Sequence, residues 1–392
     1  MKFHYFQRRL AACAAFVLAA YGAGAQSPGP SLKIGFVAPM SGAGAEWGLR
    51  MYEGAQAYIR EHGDTVAGRR VQMIVRDTTG PLPDVARRYS QELVARDKVE
   101  FLAGFAFTPE ALGGAPIATQ SKTPMIVMNA SASAVVQKSP YIARVSFTEG
   151  EVTAPLAQWA AHNGVKTVYT MVSDYAPGID AEKVFDKAFA AAGGTLAGSV
   201  RMPLTNPDFS PFVERVKDAK PAAVFFFSPG GDAVLSFLKA FNERGLGQAG
   251  VKVLMASQVP DETLQAMGPE GRYVTIATQY LLTRDIAQNV RFRKAYAAVA
   301  GAGNLPTQYS VAGYDGMAAI YDVIAKLGGR IDGDKAMAVL KGMKIDSPRG
   351  PITIDANRDI VQTIYIGGVK RSGSRNDLVE IAHFDNVADP EK

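Results

Sequence analysis

Three glycines, Gly42, Gly44 and Gly48, stand in the stretch PMSGAGAEWG at 39–48, after the apolar run 32–38 and before a segment with helical spacing. Asp77 closes the next apolar run. This is the layout of a dinucleotide site, in which glycines let the backbone approach a pyrophosphate at a helix N-terminus and an acid holds the ribose. Two details exclude that chemistry. Three residues rather than two separate Gly44 from Gly48, and Glu46-Trp47 set a carboxylate and a bulky ring where the diphosphate would lie. The same strand, loop and helix can instead hold a small organic ligand, the usual role of loops at the ends of parallel strands.

Four loops of this kind stand out: SGAGAEW (41–47), GFAFTPE (104–110), NASAS (129–133) and SDYAPG (173–178). Hydroxyls from Thr108, Ser131 or Ser133 beside free N–H groups of a helix start suit a carboxylate. Helix capping is the alternative use of the same hydroxyls. Trp47, Phe105, Phe107 and Tyr175 could close over an apolar body, core packing being the simpler role for the two phenylalanines. Catalytic chemistry has little to work with. His4, His62, His162 and His383 form no pairing that suggests a metal, and HExxH, GxSxG and CxxC are absent.

These loops need a scaffold, and its strands are legible. The runs LKIGFVA, VQMIVRD, EFLAG, MIVMNA, TVYTMVSD, AAVFFFS, VKVLMAS and YVTIAT are apolar, β-branched and nearly unbroken, as in strands covered on both faces. Trp47, Met51, Ala55, Tyr58 and Ile59 line one face of a helix between the first two. The pattern predicts an α/β fold with parallel sheets. GDTVAG at 63–68 and GGTLAG at 193–198 each end a helix and precede a strand, an echo that suggests two similar α/β lobes. The chain of 392 residues is also too long for one core.

Residues 1–25 read as a secretory signal: Lys2, Arg8 and Arg9, an apolar LAACAAFVLAAY, and AGA before Gln26. LAAC at Cys13 has a lipidation-like look but precedes most of the apolar core, and Arg8-Arg9 lacks the rest of a twin-arginine motif. Cys13 is the only cysteine, so the exported part has no disulfide or thiolate. The formal net charge of +5 owes three of its positive residues to the signal, and the rest are dispersed, which removes the main support for nucleic-acid binding. No later apolar run reaches the roughly 20 residues that span a bilayer, and a periplasmic protein is expected.

The order and spacing of several pieces resemble one family. They are PMSGAGAEWG with EGAQAYI, DTTGPLPDVARRYSQELVARDKVEFLAG, TPMIVMNASAS, SDYAPG, NPDFSPFVERVK, FNERGLG and VAGYDGMAAIYDVI. The chain is similar over about 32–370 to the periplasmic solute-binding proteins of the branched-chain amino acid type, which serve ATP-driven importers. The resemblance implies a type I periplasmic-binding fold, two α/β lobes joined by a three-segment hinge with crossings near 148, 277 and 350. One lobe would hold 26–148 and 278–350, the other 149–277 and 351–392. It implies a ligand carboxylate held at Thr108 and at Ala130, Ser131 and Ala132, an aromatic wall at Trp47 with Phe107 beside it, and Tyr175 reaching across from the second lobe. It implies no catalytic residue, metal or cofactor, a monomer, and permease subunits as partners.

One departure narrows the ligand. Gln258 falls where amino-acid-binding members place a glutamate for the ligand's ammonium, and a tyrosine expected after AAVFFFS is missing from PGGD. An ammonium buried without its anion costs about 3–5 kcal/mol. Asp232 or Asp261 could supply that anion. The expectation is therefore a carboxylate without an α-amino group, an aromatic or other organic acid, with a branched-chain or other apolar amino acid as the alternative. A ligand-sensing protein that hands its closed form to a receptor would show the same features.

Overall fold

The computed structural model describes residues 29–204, 207–256 and 259–392, so the signal at 1–25 and Gln258 lie outside the described residues. The apolar runs become strands because both their faces are covered. In β1 (Gly29–Ala38), Leu32, Ile34, Phe36, Val37 and Ala38 have no exposed surface. The first half continues through α1 (Ala45–His62), β2 (Thr65–Val66), β3 (Arg69–Asp77), α2 (Pro83–Ala95), β4 (Phe101–Gly104), α3 (Thr108–Ser121), β5 (Met125–Val127) and β6 (Ile142–Arg144). The second half runs α4 (Glu149–His162), β7 (Thr167–Ser173), α5 (Ala176–Ala191), β8 (Thr195–Met202), α6 (Ser210–Ala219), β9 (Ala223–Phe227), α7 (Gly231–Glu243), β10 (Lys252–Ala256), α8 (Asp261–Ala266) and β11 (Val274–Thr278). After it come α9 (Ala287–Ala300), α10 (Gln308–Lys326), α11 (Gly333–Leu340), β12 (Lys344–Ser347), β13 (Gly350–Ile354), β14 (Ile360–Ser372) and β15 (Arg375–Val387).

Among the described residues the strands form two sheets, ordered β2-β3-β1-β4-β5-β6 and β12-β13-β14-β11-β10-β9-β7-β8, with β15 on β14. The strands β3-β1-β4-β5-β6 are parallel, and so are β8-β7-β9-β10-β11. Both sets follow one winding, second-first-third-fourth-fifth in chain order, which is the likeness between the lobes. The hexapeptide echo is not part of it. Ala67-Gly68 turns the short hairpin between β2 and β3, whereas Thr195–Met202 is already strand β8. The sequence shares turn preferences at these places rather than equivalent positions. The antiparallel set β12 to β15 was not foreseen. Burial alternates along part of each long strand, buried and half-buried over 360–364 in β14 and exposed and half-buried over 381–385 in β15, the sign of a sheet with one wetter face.

The chain passes between the lobes at 145–148, after β6, and at 279–286, after β11. The third passage lies inside β14: Ile345, Ile352, Ile354 and Ile360 belong to the first lobe's core, Ile364 and Ile366 to the second's. α4 and α5 cover one face of the second sheet, α6 and α7 the other.

Helices α1 and α10 lie side by side and parallel, closer than side chains would allow. A β-carbon on Gly54 would fall 1.9 Å from the Ser310 carbonyl oxygen, and one on Gly313 1.9 Å from that of Met51. This approach brings Trp47, near the start of α1, onto Tyr309, near the start of α10. Gly313→Ala must push the helices apart, and overpacking of this kind costs about 1–3 kcal/mol, more than alanine's helical advantage returns. Urea unfolding should show the lower midpoint with an unchanged slope; an unaltered midpoint would mean the contact has slack.

Candidate ligand-binding cleft

In a doubly wound sheet the loops that diverge on either side of the first strand leave a crevice at the strands' carboxyl ends. Each lobe has one. In the first, loops leave β1 toward Trp47 and β4 toward Thr108; in the second, they leave β7 toward Tyr175 and β9 toward Ser228-Pro229-Gly230. The two crevices face each other and form one cleft of about 490 Å³, its open mouth included. The lobes touch beside it: the Ser133 amide donates to Asp180 at 3.2 Å, and Arg50 reaches Glu262 at 3.2 Å.

Rings wall the cleft from both sides. Trp47 stacks on Tyr309 with centroids 5.3 Å apart and planes 18° from parallel, and tilts against Phe107 at 4.7 Å. Opposite them Tyr175 stacks on Phe227 at 6.3 Å. Burial raises the Tyr175 phenol well above its ordinary pKa, so it stays protonated and able to donate. A flat apolar body fits between such walls.

Polar groups gather at one end. Thr108 begins α3, and its hydroxyl accepts the Ala132 amide at 3.4 Å. Asn129 is anchored to the Ala106 carbonyl at 2.8 Å. The Ser131 hydroxyl bonds to Glu149 Oε1 at 2.8 Å, and the Glu149 amide donates back to the Ser131 carbonyl. Glu149 is only 4% exposed, and its Oε2 has no hydrogen-bond partner although the residue lines the cleft. Burial pushes its carboxyl up to about 8, opposed by the Ser131 bond and buried Arg144, and assisted by Asp180. Behind the loop, Arg144 donates to the carbonyls of Ala130 at 2.8 Å and Ala132 at 3.1 Å and forks onto Asp359 at 2.9 and 3.1 Å.

The structure thus brings Trp47, Phe107, Thr108, Ser131 and Tyr175 to the wall of one cleft. Ala130 and Ala132 lie buried behind it, their carbonyls turned to Arg144. Phe105 is wholly buried in the core. Asp232 is exposed on α7, and Asp261 pairs with Arg375 at 2.7 Å in a separate cavity, so neither reaches this cleft. Asp77 organises the first loop instead of holding a ribose. Its Oδ1 accepts the amides of Met40 and Thr79, both at 2.8 Å, and its Oδ2 the Ser41 hydroxyl at 2.5 Å; against burial, the hydroxyl first and then the amides hold its carboxyl below the usual range. Gly42 and Gly44 adopt φ of 68° and 78°, which glycine alone takes easily. Sequence reasoning missed Tyr309, Phe227 and Glu149. The first two come from distant parts of the chain. Glu149 looked like an ordinary acid in a helix's first turn, next to the Thr148–Glu151 capping box.

The family model described as Periplasmic binding protein matches residues 31–374. The chain belongs to this family. It is 39% identical over 97% of both chains to the Leu/Ile/Val-binding protein homolog 6 of Brucella melitensis. It is also similar to two solved solute-binding proteins of ABC transporters from Rhodopseudomonas palustris. The one from strain BisB5, in complex with 3,4-dihydroxybenzoic acid, is 43% identical with a TM-score of 0.86. The one from strain HaA2, in complex with p-hydroxybenzoic acid, is 38% identical with a TM-score of 0.87. In both comparisons the match covers 92% of this chain and 99% of the other. Like these periplasmic binding proteins, the chain has two α/β lobes with parallel-dominated sheets flanked by helices.

Arg144 is the member of this site whose loss the rest of the lobe would feel most. Arg144→Ala leaves two loop carbonyls buried without their donor and leaves Asp359 with Lys392 as its remaining cation, so the loss should lie near the lower end of the about 3–5 kcal/mol that breaking a buried pair costs. Chemical denaturation should register that loss; a change under about 1 kcal/mol, the worth of an exposed pair, would show that water replaces the guanidinium.

Proposed function

We propose that this protein is the substrate-binding component of an ABC importer, capturing a small aromatic carboxylate between its lobes and presenting the closed form to the permease. The observation that carries the reading is the pairing of ring walls from opposite lobes, Trp47, Phe107 and Tyr309 against Tyr175 and Phe227, with a hydroxyl-lined helix start at one end. The relatives solved with hydroxybenzoic acids support it. The ring lies between the walls, and the carboxylate sits at the start of α3 beside Thr108 and Ser131, where the helix dipole favours an anion. The passages at 145–148, 279–286 and 361–363 form the hinge. Residues 1–25 direct export to the periplasm, where the mature chain acts as a monomer without a cofactor or a chemical step.

Closure needs nothing beyond differential affinity. A ligand touching both lobes shifts the population toward the closed state because it binds that state better. Micromolar binding corresponds to about −8 kcal/mol, enough to drive a closure that costs a few.

A second reading has an observation of its own. Glu149 Oε2, buried and unpartnered, could receive the ammonium of an apolar α-amino acid if its carboxyl were ionised. Titration calorimetry of the mature protein with benzoate, 4-hydroxybenzoate, a hydroxycinnamate, leucine and phenylalanine separates the two. The proposal expects binding of at least one aromatic acid and weak or no binding of leucine; tight leucine binding with none of the acids would sink it. Within the same experiment Trp47→Ala should weaken the bound acid about tenfold or more, the worth of one to two lost ring contacts, and lower the melting temperature by a few degrees through its lost packing on Tyr309 and Phe107, without unfolding the protein. Equal affinity in wild type and variant would remove the first loop from the site.

A further inference from the structure

The acids around the cleft pose an electrostatic problem for a protein that binds an anion. Glu149 lines the cleft itself, and Asp180 stands close enough to raise its proton affinity. Each element packed around Glu149 brings its own group. β6 brings Arg144, and the loop after β5 brings Ser131, whose hydroxyl is hydrogen-bonded to Oε1. α5 brings Asp180 and, at its start, Tyr175; α10 brings Tyr309. Arg144 is the cation of this set, and its donors are already spent on Asp359 and the carbonyls of Ala130, Ala132 and Phe147.

An ionised Glu149 would oppose a ligand carboxylate twice. It would repel the incoming charge, and it would hold the Ser131 hydroxyl proton, leaving Ser131 only an acceptor. The neutral acid removes the repulsion and supplies a donor in place of an acceptor: its single proton, on Oε2, points at the ligand carboxylate, while Oε1 goes on accepting from the Ser131 hydroxyl.

We propose that Glu149 is a specificity residue that enters the complex as the neutral acid, so that a ligand carboxylate is captured together with one proton, Glu149 Oε2–H donating to a ligand oxygen. The inference rests on the aromatic-acid reading of the cleft. The proton comes from solvent and stays on Glu149, and no covalent bond to the ligand forms or breaks. The device discriminates as well: a ligand carrying an ammonium meets a donor instead of an anion at this point.

The sign of the pH dependence follows. Below the pKa of about 8 in the ligand-free protein, Glu149 already carries its proton and binding takes up little. Above it the proton must be acquired on binding, so affinity falls by up to tenfold for each pH unit until the pKa of the complex is passed. The reference is wild-type protein titrated calorimetrically with 4-hydroxybenzoate and benzoate at about pH 6, 7.5 and 9, in buffers of different ionisation heat. Uptake should rise from near zero toward one proton per ligand. Glu149→Gln keeps a donor without the titration, so it should bind the acids with an affinity independent of pH and with no uptake. Asp180→Asn should keep the uptake but shift its onset to lower pH, because Asp180 contributes to holding the proton on Glu149.

Wild-type binding that is pH-independent without proton uptake overturns the proposal, as does uptake that survives Glu149→Gln and vanishes in Asp180→Asn. Failure of the underlying reading looks different: neither acid binds at any pH, and leucine binds wild type but not Glu149→Gln, which would make Glu149 an ionised ammonium acceptor.

Discussion

A guanidinium shut away from water must find acceptors for all its donors, and where Arg144 finds them fixes how the two lobes meet. It is wholly buried, with its charge on Asp359 of the segment that opens β14 and its remaining donors on Ala130, Ala132 and Phe147. Ala130 and Ala132 flank Ser131, and Phe147 lies in the first passage between lobes. One side chain therefore ties the loop after β5 to the passage 145–148. Arg349 repeats the device, donating to the Ser146 carbonyl at 2.7 Å and pairing with Asp315 of α10 at 3.0 Å. Neither pair is a strong net stabiliser against an apolar core, since desolvation offsets much of the attraction. What they supply is position. Both guanidiniums hold carbonyls of the strand-to-helix passage 145–148, so rotation of one lobe on the other has to take place with those carbonyls held.

The aromatic wall depends on a different constraint, the absence of side chains. Gly54 and Gly313 let α1 and α10 meet backbone to backbone, and the rings at the two helix starts are stacked as a result. The same pair of helices carries Tyr58, Tyr314 and Tyr321, whose edge-to-face contacts extend the packing toward the far end. Trp47 is thus set by a helix pair rather than by the loop that precedes α1. That loop is fixed in turn by Asp77, which gathers the amides of Met40, Ser41 and Thr79. The glycines that first suggested a nucleotide serve the turn and the approach of helix to loop: a β-carbon on Gly48 would fall 2.0 Å from the Pro39 carbonyl oxygen.

The sequence made the parallel strands and the loops at their ends legible because buried strands write themselves as unbroken apolar runs. The aromatic and hydroxyl residues of those loops were visible for the same reason: the loop after a parallel strand points at the crevice. Three kinds of information were not local. Tyr309 looks like any core tyrosine of an amphipathic helix until α10 is seen to lie along α1. β12 and β13 share a core with residues 200 positions earlier but a sheet with β14, so no composition shift marks the third passage between lobes. Glu149 was hidden by a capping box, in which an acid needs no further explanation. What distinguishes it is burial without a partner, a property of the packed molecule alone.

In the proposed function, that property also lets a cleft edged with acids receive an anion. Glu110, beneath the start of α3, is buried, and its carboxyl is pushed up to about 7 against hydrogen bonds from Thr78 and the Phe107 amide. Glu149 stands at the start of α4 with its carboxyl at about 8. Burial makes the charged form of each expensive, so near neutral pH Glu149 is held largely as a neutral hydrogen-bonding group and Glu110 is poised between its two forms. No lysine or arginine lines the cleft among the described residues, and the positive potential comes from helix N-termini and from Arg144 one layer behind. A carboxylate held by dipoles and hydrogen bonds, without a direct ion pair, gives up less interaction energy on leaving than one gripped by a desolvated arginine. In the proposed role, where cargo is surrendered to a permease in every cycle, that moderation is as much a requirement as capture.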